Sequence, residues 1–337
     1  MPEIHLEQLR ATAQAAHEPL FLLPARFAGV SFDSYAISNP SQADAMAAIR
    51  RLLESSNAPS RRRWRRESEG GPRGLYLIGA PGVGKTHLLA AAFETGPEPR
   101  LFATFDEFLA ASGALTMAGL SERLTANRLV CIDEIDLDDP AGIMVLTSLL
   151  RALFDTGSYV IATANARPDA MSGAQYYEGV FTRELGEIAE HFEVVELDGQ
   201  DYRRRAPWQE PRAAANGREP HVARLRWEEL SALLDETHPM RDVAWLLALD
   251  GIELDQIKPL PDNDRSMRFV RFIDRVYDRD VRLSAAVTPS PEEILARFRE
   301  QPRFALHYAR CRSRLTELLY PANRHEPARG ALEQAAE

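Results

Sequence analysis

One octapeptide constrains this chain more than any other stretch. Gly79-Ala80-Pro81-Gly82-Val83-Gly84-Lys85-Thr86 fits the pattern Gly-x-x-x-x-Gly-Lys-Thr, a loop whose backbone cradles phosphates. Its surroundings fit as well. Leu75-Tyr76-Leu77-Ile78 ahead of it predicts a short buried strand, and the Leu- and Ala-rich stretch from His87 to Phe93 predicts a helix. Glycines let the backbone turn through positive φ and approach a ligand closely. Successive N–H groups and the start of the helix then face negative charge. Gly79 to His87 are therefore the candidate nucleotide-binding residues. Lys85 is expected to reach the β- and γ-phosphates, and the Thr86 hydroxyl to hold Mg²⁺.

From Gly74 to about Leu197, apolar runs alternate with helical patterns. The expected strands are Leu75–Ile78, Leu101–Phe105, Leu129–Asp133, Tyr159–Ala164 and Glu193–Leu197, with helices between them. Near-continuous apolar strands separated by helices predict a parallel sheet covered on both faces. Ligands of such sheets sit at the carboxyl ends of the strands, where the phosphate loop already lies. The expected fold class is therefore α/β: a P-loop parallel-sheet core, followed by a C-terminal α/β and helical region. The expected division is an N-terminal helical segment and basic linker (1–73), a core (74–200) and a linker (201–225). A C-terminal region (226–320) and a flexible tail (321–337) follow. In the C-terminal region helices are expected over Trp227–Leu234 and Met267–Tyr277. A strand or short helix is expected over Ala244–Leu249 and a strand over Val281–Val287.

The chemistry beyond the loop comes from strand ends. Leu129-Val130-Cys131-Ile132-Asp133-Glu134 is an apolar strand closing on two acids. Triphosphate hydrolysis needs one carboxylate on the metal and one on the attacking water. Asp133 is the expected metal-side acid opposite Thr86, and Glu134 the acid that polarises the water. The next strand, Val160-Ile161-Ala162-Thr163-Ala164-Asn165, ends in an amide that would lie between the loop strand and the acidic strand. Asn165 is the first candidate to sense the γ-phosphate, and Thr163 the second. Arg183 either crosses to a neighbouring subunit's γ-phosphate or pairs with Glu184 or Glu187 on its own helix. Arg310 and Arg314, four apart on the last long helix, share a face. Arg314 is a candidate to reach the phosphates of its own subunit, or part of a solvated basic face. Ser41 and Gln42, after Asn39-Pro40, lie either beside the adenine or in a simple helix cap.

These residues in this order resemble an AAA+ ATPase, and more narrowly the ZapE (AFG-like) cell-division ATPase family. The resemblance rests on Asn39-Pro40-Ser41-Gln42, Gly74-Leu75-Tyr76-Leu77, Thr163-Ala164-Asn165 with Pro168-Asp169, and Phe192-Glu193-Val194-Val195. It rests further on Asp201-Tyr202-Arg203, on Arg268 to Asp278 with Val281-Arg282-Leu283, and on Ser313-Arg314-Leu315. It spans about residues 25–320. Phe272-Ile273-Asp274-x-x-Tyr277-Asp278 is its most family-specific stretch. The Ala-Pro-Gly-Val interior of the phosphate loop departs from the family and is closer to generic AAA+ proteins. The spacing of Arg183 and an Arg-rich, Lys-poor composition resemble actinobacterial members. The resemblance implies a Mg²⁺-dependent ATPase that remodels a protein partner, the tubulin-like division polymer. It further implies a homo-oligomer formed on nucleotide binding.

Composition limits the alternatives. The chain is 45% hydrophobic and 27% charged, as expected of a globular protein with a sizeable core. A formal charge of −10 argues against bulk attraction to nucleic acid or anionic membrane. The runs Arg61–Arg66 (with Trp64) and Arg203–Arg205 nevertheless keep open a nucleic-acid-associated ATPase such as a helicase loader. A nucleotide-gated adaptor with little hydrolysis is the third reading. The two cysteines, Cys131 and Cys311, lie far apart, which points to reduced thiols in a cytoplasmic protein. No signal peptide or uncharged membrane span is visible, so any membrane association is expected to be peripheral, through a partner.

Overall fold

The computed structural model describes residues 3–15, 21–56, 72–80, 82–135, 140–164, 190–199, 220–237, 244–299 and 305–319. The chain divides into two compact units, one of Phe21–Trp208 and one of Met1–Leu20 with Gln209–Glu337. Elements are numbered in chain order, so β1 (Glu3–Ile4) and α1 (Leu6–Ala15) belong to the second unit.

The first unit opens with α2 (Pro40–Ser56), then β2 (Gly74–Gly79), α3 (Lys85–Thr95) and β3 (Arg100–Thr104). It continues with α4 (Phe105–Ala114), α5 (Met117–Thr125), β4 (Leu129–Ile135), α6 (Pro140–Asp155), β5 (Tyr159–Ala164) and β6 (Phe192–Leu197). The five strands form one parallel sheet in the order β3-β4-β5-β2-β6. This is the expected core. Each strand falls within two residues of its sequence-predicted bounds, because the apolar runs that fill a doubly covered sheet are hard to mistake. Leu75, Leu77, Leu129, Cys131 and Ile161 are buried against Ile49 of α2 and Leu88 and Leu89 of α3. Local chemistry sets the helix starts. Thr104 and Glu107 form a reciprocal cap at α4: Thr104 Oγ1 accepts from the Glu107 N–H at 3.2 Å, and Glu107 accepts from the Thr104 N–H at 2.9 Å.

The second unit holds β7 (Val222–Leu225), α7 (Trp227–Glu236), β8 (Gly251–Gln256), α8 (Asn263–Asp278) and β9 (Arg282–Val287). Two short helices, α9 (Pro291–Ile294) and α10 (Ala296–Arg299), precede α11 (Ala305–Leu319). Its sheet is also parallel, in the order β1-β7-β8-β9. The structure departs here from the serial division expected above. The N-terminal residues Glu3–Ala15 group with the C-terminal half of the chain, and β7 forms inside the expected linker. Residues 244–246 are helical, and the strand follows them at Gly251–Gln256. A two-residue and a four-residue strand are too short for alternation to announce them. The core of this unit gathers Leu9, Trp227, Trp245, Phe269, Phe272 and Phe298. Among the described residues, no helix is long and apolar enough to cross a membrane.

Leu9 is 1% exposed and packs in this cluster from an element at the far end of the sequence. Leu9→Ala should cost about 2–5 kcal/mol of stability in the second unit, as cavity-forming substitutions do. Hydrogen exchange checks this: the β7 and β8 amides should lose protection while those of β2 and β5 keep theirs.

Candidate nucleotide site

The phosphate loop links β2 to α3. Gly82 and Gly84 have φ of +84° and +96°, in the left-handed region that an L side chain resists. At Gly84 space excludes a side chain as well, since a Cβ there would lie 2.6 Å from the Tyr35 ring. Lys85 is buried, and its ammonium donates to the carbonyls of Gly79 at 2.6 Å and Ala80 at 3.0 Å. These bonds curl the side chain back over the loop.

Strand order brings the acids to the loop. β5 lies between β2 and β4, so its end stands between the phosphate loop and the acid pair, as expected from the sequence. The Thr86 hydroxyl donates to Asp133 Oδ1 at 3.2 Å. The Thr163 hydroxyl donates to the same oxygen at 2.6 Å and accepts the Glu134 N–H at 2.9 Å. Thr163 is fully buried and Asp133 is 4% exposed. Glu134 has φ +55°, and the register between β4 and β5 slips between Ile132 and Ile135. A left-handed residue at a strand irregularity re-aims its side chain, so the two neighbouring acids leave the strand differently. Beneath them, burial and then the charge of Asp133 push the Cys131 thiol up, which leaves it unreactive.

A hydroxyl and a carboxylate on one site are hard oxygen donors of the kind Mg²⁺ takes alongside water and phosphate. Thr86 and Asp133 fit that ion.

The segment ahead of α2, together with the first turn of α2, touches the loop. The Tyr35 hydroxyl donates to the Val83 carbonyl at 3.0 Å, and Gln42 Nε2 donates to the same carbonyl at 3.3 Å. Gln42 Oε1 accepts from the N–H groups of Ser38 and Asn39. Asn39 Oδ1 caps α2 by accepting from the Ser41 N–H at 3.0 Å. Ser41 Oγ accepts from the N–H of Asp198, just past β6. His87 sits on the first turn of α3, with Nε2 3.0 Å from Ser34 Oγ and the Tyr35 ring edge-on at 5.3 Å. Burial holds its imidazole below the usual range, against an opposing bond to the Ser31 backbone. His87 and Gln42 thus tie this segment to the loop. Tyr35 was not legible as a site residue, since a lone Tyr in a loop carries no motif.

Asn165, Arg183, Pro81, Arg61–Arg66 and Arg203–Arg205 fall outside the described residues. Arg314 lies in the second unit, 6% exposed, with its guanidinium 2.5 Å from Asp274 and 3.7 Å from Asp278. Arg310 donates to Asp274 at 2.8 Å, and the Arg314 guanidinium stacks over the Tyr277 ring.

The profile of the AFG1-like ATPases matches residues 33–245, more than half of the chain. The chain belongs to the AFG1-like ATPase family. It is 30% identical to the cell division protein ZapE of Escherichia coli K12 over 207 residues, covering 58% of this chain and 51% of that protein. It is 35% identical to lactation elevated protein 1 homolog B of Danio rerio over 78 residues, 23% of this chain and 16% of that one. The chain thus spans about half the length or less of these curated relatives. Among solved structures, the DnaC helicase loader aligns with a TM-score of 0.40 at 20% identity, over 52% of this chain and 99% of that one. That likeness is too slight to carry an argument.

Thr163 bonds both acids, so Thr163→Val should remove an acceptor from the Glu134 N–H and a 2.6 Å donor from Asp133. The expected loss is about 1–3 kcal/mol in the stability of the first unit. Urea denaturation followed by fluorescence checks it, and Thr163→Ser should recover most of the loss.

Proposed function

We propose that this AFG1-like ATPase is Mg²⁺-dependent and uses ATP hydrolysis to remodel a protein partner. The observation that carries the hydrolytic part is the junction of three elements at Asp133: Thr86 from the loop, Thr163 from β5 and the acid itself from β4. In this reading the Lys85 ammonium leaves the Gly79 and Ala80 carbonyls for the β- and γ-phosphate oxygens. Thr86 and Asp133 hold Mg²⁺, which when bound neutralises charge on the triphosphate. Glu134, carried off the strand by its left-handed backbone, accepts the proton of the attacking water. Asn165 orients that water or the γ-phosphate from the end of β5, and Arg183 stabilises transition-state charge on a neighbouring copy's nucleotide. Homo-oligomerisation on ATP binding follows from that role of Arg183. Arg314 is left out of the nucleotide set, because its guanidinium is engaged within the second unit.

The partner rests on resemblance. A relative at 30% identity is named a cell division protein. Together with the Phe272-Ile273-Asp274-x-x-Tyr277-Asp278 stretch, this supports a role in cell division, acting on the tubulin-like division polymer in the cytoplasm.

Lys85→Ala should abolish nucleotide binding, read by fluorescent-nucleotide titration. Glu134→Gln should keep ATP binding and lower turnover by at least about 100-fold, the usual contribution of a general base. Turnover at the normal rate in Glu134→Gln would remove Glu134 from this role. The Glu134→Gln protein on ATP is also the form with which to capture the partner and measure the assembly's mass.

A further inference from the structure

The Val83 carbonyl receives two side-chain donors from one segment far ahead of it in sequence. Tyr35 Oη reaches it at 3.0 Å and Gln42 Nε2 at 3.3 Å. Both side chains are well buried, Tyr35 at 8% and Gln42 at 0% exposure. The convergence of two buried side-chain donors on one backbone carbonyl has a consequence for the peptide plane. The Val83–Gly84 peptide is trans, as are all the described peptides but Glu98–Pro99. In a trans peptide the C=O and the N–H point in opposite directions. Fixing the Val83 oxygen on the Tyr35 side therefore turns the Gly84 N–H to the opposite side of the loop. The Gly84 N–H is one of the successive backbone donors that a phosphate loop offers to an anion. The Tyr35 ring lies against Gly84 and leaves no room for a side chain there. Gly84 has φ +96°, so both its conformation and its surroundings require glycine there.

We infer that Tyr35 and Gln42 are positioning residues of the nucleotide site: they orient the Val83–Gly84 peptide so that its N–H is presented to the phosphates. The two donors are themselves placed from behind. Gln42 is fixed by the Ser38 and Asn39 N–H groups on its Oε1, and Tyr35 packs edge-on against His87 of α3. The inference rests on the reading that this loop binds a nucleoside triphosphate. It adds that loop geometry, and with it affinity for ATP and ADP alike, is set by residues that touch neither phosphate nor metal.

The test is Tyr35→Phe, which removes one oxygen and keeps the ring, with Gln42→Met as the second variant. The readouts are ATP and ADP titration and steady-state turnover. Tyr35→Phe should weaken both nucleotides about three- to tenfold, a fraction of one charge-assisted hydrogen bond. The loss should fall in KM rather than kcat, because it is felt equally in ground and transition states. The two substitutions act on one carbonyl, so the double variant should lose less than the product of the single losses. A general loosening of the fold would instead lower kcat and the melting temperature together. Unchanged ATP and ADP affinity in Tyr35→Phe overturns the inference, as does a double variant whose losses multiply. If Gln42→Met does not fold, Tyr35→Phe alone decides. Nucleotide binding by the unaltered chain separates the two readings. Its absence there would sink the ATPase reading itself, whereas its presence with no change in Tyr35→Phe sinks only this inference.

Discussion

The first unit depends on one carboxylate. Asp133 is 4% exposed near the end of β4, and a charge there is costly unless hydrogen-bonded. Its Oδ1 takes two hydroxyl donors, Thr86 from one side and Thr163 from the other. That is possible only because β5 lies between β2 and β4, so that three chain segments end within reach of one oxygen. Thr163 does a second thing with the same atom. By accepting the Glu134 N–H, it holds the backbone where it turns to φ +55°. The energetic need to satisfy one buried acid thus also fixes the direction of its neighbour. Two adjacent carboxylates of one strand are thereby given different surroundings: one closed in by hydroxyls, the other half-exposed.

Much of this was legible in the sequence, and the parts that were not share a physical cause. Apolar runs that fill both faces of a parallel sheet located β2 to β6. The Gly-Lys-Thr loop and the Asp-Glu strand end pointed to the candidate site within them. Patterning could not show the left-handed turn at Glu134, because that turn follows from the pairing of β4 with β5. Thr163 was expected only as a second candidate for sensing the γ-phosphate. Its hydroxyl is instead bound to Asp133 and Glu134, a role visible only once β5 lies beside β4. In the second unit, Val222–Leu225 lies among prolines and arginines and Glu3–Ile4 is a mere pair. Each becomes a strand through neighbours distant in sequence, where local propensity has little to say.

The phosphate loop is held on two sides by different means. On the sheet side Lys85 bonds the carbonyls of Gly79 and Ala80. On the other side Tyr35 and Gln42 bond the carbonyl of Val83, and Ser41 carries the connection on to Asp198 beyond β6. The first set of bonds must break when an anion draws the ammonium away. The second can persist, because it lies on the far face of its peptide. A loop so arranged can exchange its lysine contacts for phosphate while keeping its curvature, which limits the reorganisation that binding costs.

The contact between α8 and α11 has a different physical basis from the loop. Asp274 and Asp278 are four apart on α8, and Arg310 and Arg314 are four apart on α11, so each pair shares a helix face. Asp274 meets both arginines and Asp278 meets Arg314. Tyr277, beneath the Arg314 guanidinium, donates to Glu317 at 2.7 Å. Such a ladder adds little net stability over a well-packed apolar one, because desolvation offsets most of the Coulombic gain. Its geometry is restrictive all the same. Sliding α11 by one turn would keep an arginine at Asp274, which meets both, but would break the pairing of the ladder as a whole. The Phe-Ile-Asp-x-x-Tyr-Asp stretch and the late Ser-Arg-Leu stretch are thus two halves of one contact, in which the Arg314 guanidinium lies buried.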